Sequence, residues 1–215
     1  TSPRPATHGM LLVDLDGTRW LADVGYGASP LEPIELKGGA RSDSGPWPYL
    51  LRWQNITHGA PGWAVHQRAD GPTEPADPEG PPDPEGPADP EGPAGWTVRQ
   101  VFTETPQYPI DYTVANHFVA SHPRSPFVTR PFVQRLRTDR YDTLDALTWT
   151  TERPGRPRVT DTVRPHEAPA LLADVFGIRT HPEESELLVS RLTELAKSDA
   201  GADAGAEAGA GAAGQ

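Results

Sequence analysis

The sequence predicts an α+β fold in two packed parts: strands first, then a helix, further strands and a closing helix. Three observations carry this prediction. Two apolar runs near the start flank Asp16-Gly17. Strand-like runs lie on both sides of a proline-rich repeat. Helical spacing appears only later, once after Pro109 and again before Gly177.

The elements follow in order. Residues 10–15 and 18–23 read as strands joined by Asp16-Gly17, the strongest short-range hairpin signal because these residue types tolerate positive φ. Residues 49–53, 63–67 and 96–101 are the next strands. Between the last two lie DPEGPP and two copies of DPEGPA, and residues 70–94 hold nine prolines, four glycines and no aliphatic larger than alanine. Such a stretch cannot bury enough surface to offset its ordering, so it reads as a disordered insert in a hairpin loop. Ile110, Val114 and Phe118 form one helical stripe after Pro109, stopped by His122-Pro123. Residues 127–136, 146–152 and 158–163 read as strands. Leu171, Leu172, Val175 and Phe176 mark the closing helix, with Gly177 as its stop. Leu188, Leu192 and Leu195 then predict a short peripheral helix from Pro182, followed by a disordered acidic tail.

The 215 residues carry 19 basic and 30 acidic groups, a net charge of −11. Residues 70–94 supply eight acidic groups and no basic one, and residues 182–215 supply seven acidic and two basic. The body is therefore close to neutral, without the clustered Lys and Arg of a nucleic-acid footprint. No run is apolar for long enough to span a membrane, and no secretion signal opens the residues given, so a cytoplasmic location is expected. The sequence has no cysteine, which excludes disulfides, thiolate metal sites and a thiol nucleophile within it. The histidines at 58, 66, 117, 122, 166 and 181 show no metal-ligand spacing and read as surface or loop residues.

The hairpin carries the chemistry. A two-residue turn pairs Leu15 with Thr18, which sets His8 opposite Gly25 and makes His8 and Asp23 diagonal neighbours on one face. Met10, Leu12 and Leu21 share that face, while Leu11, Val13, Leu15, Trp20 and Val24 fill the other. With both faces apolar, the strands are expected to be buried on each side. A buried Asp needs a partner, and His8 is within reach. A histidine oriented by an aspartate is the base half of a nucleophilic triad. The plainer reading is a polar pair that merely satisfies itself in a core.

Several segments together resemble the arylamine N-acetyltransferases. They are Thr7-His8, the strand from Met10 to Val13, and Trp20-Leu21-Ala22-Asp23-Val24-Gly25-Tyr26-Gly27. Pro106-Gln107-Tyr108-Pro109-Ile110-Asp111-Tyr112, Ala115-Asn116, Ser121-His122-Pro123, Ser125 and Phe127-Val128-Thr129 follow in the family's order. The likeness covers about residues 5–178. It implies an antiparallel β-barrel-like domain over 1–105, an α/β lid domain over 106–178, and the peripheral helix and tail over 179–215. It implies acetyl transfer from acetyl-CoA, a co-substrate rather than a bound cofactor, to an arylamine or hydrazine by a Cys-His-Asp ping-pong mechanism, with no nucleic-acid or membrane partner. His8 and Asp23 would be catalytic. Thr7, Tyr26, Phe118, Ser125, Phe127 and Thr129 would contact substrate or CoA, and no metal is expected. In the family the cysteine stands upstream of the Thr-His pair, on a helical part that this sequence lacks. The resemblance is thus to a chain truncated at its N-terminus, inactive alone, with an apolar patch where that part would pack.

Three other readings compete. A polyketide amide synthase would use the same triad, and a non-catalytic remnant would use none of it. Leu11 to Thr18 also matches the opening motif of haloacid-dehalogenase-type phosphatases, with Asp14 as nucleophile, Asp16 as acid and Mg²⁺ as cofactor.

Overall fold

The computed structural model describes residues 8–56, 60–68 and 94–210, with side chains to residue 198. Thr7, the repeat through Pro93, His58 and the last five positions, all named above, lie outside the described residues.

Eleven described strands form three antiparallel sheets. The first has the order β1-β2-β3, with β1 at Leu11–Leu15, β2 at Thr18–Ala22 and β3 at Ile34–Glu35. The second has the order β4-β5-β6-β7: Arg41–Ser42, Tyr49–Asn55, Pro61–Arg68 and Trp96–Phe102. The third is β11-β10-β9-β8, built from Val159–Thr162, Thr148–Glu152, Tyr141–Asp145 and Phe132–Leu136. No described sheet closes on itself, and among the described residues the strands of the expected barrel-like part lie in two sheets. The interruption lies between β3 and β4, each only two residues long. There Pro33 enters β3, and the chain turns back through the Ala40 N–H to Lys37 carbonyl bond of 3.1 Å.

Two compact units divide the chain. One runs to Phe118 and includes Arg135–Tyr141 and Glu152–Arg158. The other takes Val119–Gln134, Asp142–Thr151 and the chain from Val159 onward. In the first unit Leu21, Ile34, Tyr49, Leu51, Trp63 and Val65 form the core, with Met10 and Leu12 packed against it. The hairpin face shared by His8 thus faces inward, as its alternation indicates. The opposite face differs from expectation: Leu11, Val13 and Leu15 are exposed and Val24 is 92% exposed. An antiparallel sheet can cover one face and leave the other to solvent, which is the arrangement here.

Helix α1 spans Pro109–Ser121, ending where His122-Pro123 predicts. Residues 127–129, expected to be strand, form the helical turn α2, Pro126–Thr129. Pro126 at the first helical position fixes φ, and the Val128 and Thr129 amides bond the Ser125 carbonyl at 3.1 and 3.3 Å. Helix α3, Ala168–Leu171, widens into a π-type turn over Leu172–Phe176 that ends at Gly177, φ 74°. Helix α4 runs from Pro182 to Ala210, past the point where the tail was expected to lose order. Its first turn is capped, with the His181 amide donating to Glu184 Oε2 at 2.8 Å. Nor is α4 peripheral: Leu192 is fully buried with Leu144, Val163, Ala168, Leu172 and Phe176 in the second unit's core.

Candidate active site

Asp16 and Gly17 have φ of 51° and 79°, both positive as a type I′ turn requires. Leu15 pairs with Thr18 and the register continues to Leu11 with Ala22. Beyond that pair, with His8 three residues before Leu11 and Asp23 one residue after Ala22, His8 Nε2 meets Asp23 Oδ1 at 2.9 Å. The imidazole is 30% exposed and the carboxylate only 4%. A charge that deep needs several donors, and Asp23 has them. The amides of Gly25 and Tyr26 donate to Oδ1 at 3.1 and 3.2 Å. Ser29 Oγ and Gln100 Nε2 donate to Oδ2 at 2.5 and 3.1 Å. Burial pushes the Asp23 carboxyl up, but its bonds to His8, Ser29 and Gly25 outweigh that and hold it down at about 2. An ionised Asp23 accepts only, so Nε2 of a neutral His8 carries the ring proton and Nδ1 is the basic nitrogen.

The loop after Asp23 is held from the second sheet. Tyr49 Oη donates to the Ala28 carbonyl at 2.7 Å and accepts from Gln67 Nε2 at 3.0 Å, while Arg99 Nε donates to Gln67 Oε1 at 2.6 Å. Burial pushes the Tyr49 phenol up, which keeps it a donor. Gly25 makes room for the imidazole: a Cβ there would stand 3.2 Å from His8 Cε1. The Tyr26 ring lies 5.6 Å from the His8 ring, tilted by 52°, so Tyr26 borders the imidazole.

The other expected contacts lie elsewhere. Phe118 is on α1 in the first unit, whereas Ser125, Phe127 and Thr129 are on and beside α2 in the second. The Ser125 hydroxyl is buried and donates to the Val119 carbonyl at 2.6 Å. Phe127 is exposed, edge-on to Phe132 at 6.0 Å, and Thr129 Oγ1 donates to the Pro126 carbonyl at 3.2 Å. His66, expected at the surface, is fully buried in β6 against Gln54. The phosphatase reading fails on topology, because β1 returns at once as antiparallel β2 and Asp14 is a solvated neighbour of Arg19. Among the described residues no group of three or more His, Asp or Glu could hold a metal ion, and no helix is long and apolar enough to cross a membrane.

Sequence reasoning missed Ser29, Tyr49, Gln67 and Gln100. A signal existed for one of them. Trp96, Val98, Gln100 and Phe102 occupy the less exposed positions of β7, and Gln100 is the only polar residue among them.

A family model for N-acetyltransferases matches residues 1–184. The arylamine N-acetyltransferase of Mycobacterium abscessus is 42% identical over 88% of this chain and 60% of that one, with a TM-score of 0.72. The Nocardia farcinica enzyme is 35% identical over 88% and 61%, with a TM-score of 0.67. The Mycobacterium marinum enzyme in complex with CoA shares the fold at 22% identity, covering 89% of this chain and 62% of that one with a TM-score of 0.66. No curated protein matches. The chain spans about three fifths of the length of these structures. Matched over most of its residues, it belongs to the arylamine N-acetyltransferase family.

Proposed function

We propose that this polypeptide supplies the base and the orienting carboxylate of an acetyl-CoA:arylamine N-acetyltransferase whose cysteine lies outside these 215 residues. The observation that carries the reading is the 2.9 Å His8–Asp23 bond, made through Nε2 to a carboxylate held ionised. A cysteine thiol placed at Nδ1 would give its proton to the imidazole. The thiolate would attack the acetyl carbonyl, releasing CoA and leaving a thioester on the enzyme. An arylamine nitrogen would then attack that thioester, forming the amide and returning the sulfur, with His8 handling the proton in both halves. The CoA complex of the Mycobacterium marinum relative supports the donor, and the names of the relatives support the acceptor. Tyr26, Phe118, Phe127 and Thr129 are proposed substrate or CoA contacts, as is Thr7. Ser125 is proposed to act through the backbone it braces, since its hydroxyl is already engaged.

The test joins this chain to the in-frame sequence encoded upstream of Thr1, where that carries a cysteine, and measures enzyme acylation by radiolabelled acetyl-CoA. The joined protein should acylate and then acetylate an arylamine. His8→Gln should lower acylation by at least about a hundredfold. Undiminished acylation in that variant would refute the assigned role.

A further inference from the structure

We infer that Gln100 is a positioning residue for the His8–Asp23 pair, an inference that rests on the reading of His8 as the base. Asp23 has two oxygens with different tasks. Oδ1 faces His8 Nε2, and Oδ2 is gripped by Ser29 Oγ at 2.5 Å and Gln100 Nε2 at 3.1 Å. Gln100 Nε2 also reaches Ser29 Oγ at 3.0 Å, so the three groups close a small triangle behind the carboxylate. Rotation about the carboxylate bond would break both grips, which keeps Oδ1 aimed at the imidazole. The histidine then keeps its proton on Nε2 and its lone pair on Nδ1.

The amide's other end shows what this arrangement costs. Gln100 Oε1 is shielded from solvent and has no hydrogen-bond partner among the described residues. Reversing the amide would turn that oxygen toward an ionised carboxylate, so the present orientation is the one electrostatics allows. An orphaned buried carbonyl is destabilising, and native structures keep such atoms rarely, typically where function requires them. Leucine or methionine would fill the inward position on β7 without that penalty. Gln100 therefore sits where folding alone prefers an apolar residue, and what it gains there is its contact with Asp23.

The test needs no nucleophile and uses the 215-residue chain itself. Long-range proton–nitrogen NMR at about pH 9, where an ordinary histidine is neutral, reports the tautomer of His8 directly. In the wild-type chain the Nε2–H form should predominate. In Gln100→Leu and Gln100→Met the ratio of Nε2–H to Nδ1–H should fall about fivefold while the chain stays folded, because removal of the orphaned carbonyl offsets part of the lost bond to Asp23. A ratio within twofold of wild type in both variants would overturn the inference, and so would loss of folding in both, which would make Gln100 a structural residue. The His8→Gln acylation assay is independent. Continued acylation there refutes the base without touching the tautomer result, and an unmoved tautomer refutes Gln100 without touching the base.

Discussion

At Gly25 the missing side chain decides where the imidazole can lie. A Cβ would approach His8 Cε1 to 3.2 Å and Nδ1 to 3.8 Å, so the ring would have to move by a few tenths of an ångström. The ring is anchored through Nε2 to a carboxylate that is itself fixed by four further donors, and the motion would fall on Nδ1, the nitrogen proposed to take a proton. Gly25 does not have a positive φ, so alanine would bring no backbone strain. Gly25→Ala should therefore leave stability within about 1 kcal/mol of wild type while lowering acylation of the cysteine-bearing protein roughly 10- to 100-fold. Denaturant titration alongside single-turnover acylation checks both halves. A loss of stability without a loss of rate would show that the glycine serves the fold instead.

Strand β6 illustrates how an element can hide a polar residue. Its pairing with β7 shifts between Val65 and His66, and His66 is fully buried with Nε2 on Gln54 Oε1 at 3.0 Å and Nδ1 without a partner among the described residues. Burial, aided by the Arg52 charge, pushes the His66 imidazole down to about 4. The unfolded chain binds that proton at about 6.5, so its stabilising share is complete above pH 6.5, falls as pH drops toward 4, and is flat below. The loss amounts to about 3 kcal/mol. Urea unfolding at pH 7 and pH 4.5 should show that decline in the wild-type chain, and His66→Gln should flatten it; equal slopes would rule His66 out as the cause. Asp23 adds a separate decline only between its unfolded value of about 3.8 and its folded value of about 2.

The same strands show what could be read from sequence. The Asp16-Gly17 turn fixed a register by arithmetic, and that register delivered the His8–Asp23 contact. Local rules suffice for a hairpin whose two faces differ by one residue. Strand β9 was not legible because its buried position 142 holds an aspartate, satisfied by Thr151 Oγ1 at 3.0 Å from a neighbouring strand. Gln100 and Ser29 were not legible as Asp23 ligands because they reach it across 77 and 6 residues, and no local spacing encodes such a distance.

At the scale of the whole molecule, the first unit presents an edge that soluble proteins usually guard. Strand β1 is the outer strand of its sheet, and Leu11, Val13 and Leu15 on its outward side are 55, 43 and 59% exposed. Helix α1, which lies in the same unit as far as Phe118, buries none of its residues and exposes Ile110, Tyr112 and Val114. An edge strand offers unpaired backbone groups, and apolar side chains beside them add a driving force for pairing with another copy. The usual safeguard, an outward lysine at mid-strand, is absent: Asp14 is the one charged residue within β1. Opposing association is the net charge of −11, whose repulsion weakens as salt screens it. The weight-average mass of the chain in sedimentation velocity should therefore rise with concentration, and more steeply at about 0.5 M salt than at 0.05 M. Val13→Lys should suppress that rise at both salts, because it places a charge at the centre of the exposed strand and leaves the inward face of the hairpin unchanged. If Val13→Lys associates as wild type does, the attraction lies elsewhere on the surface, and the corresponding lysine at Val114 would then locate it on α1.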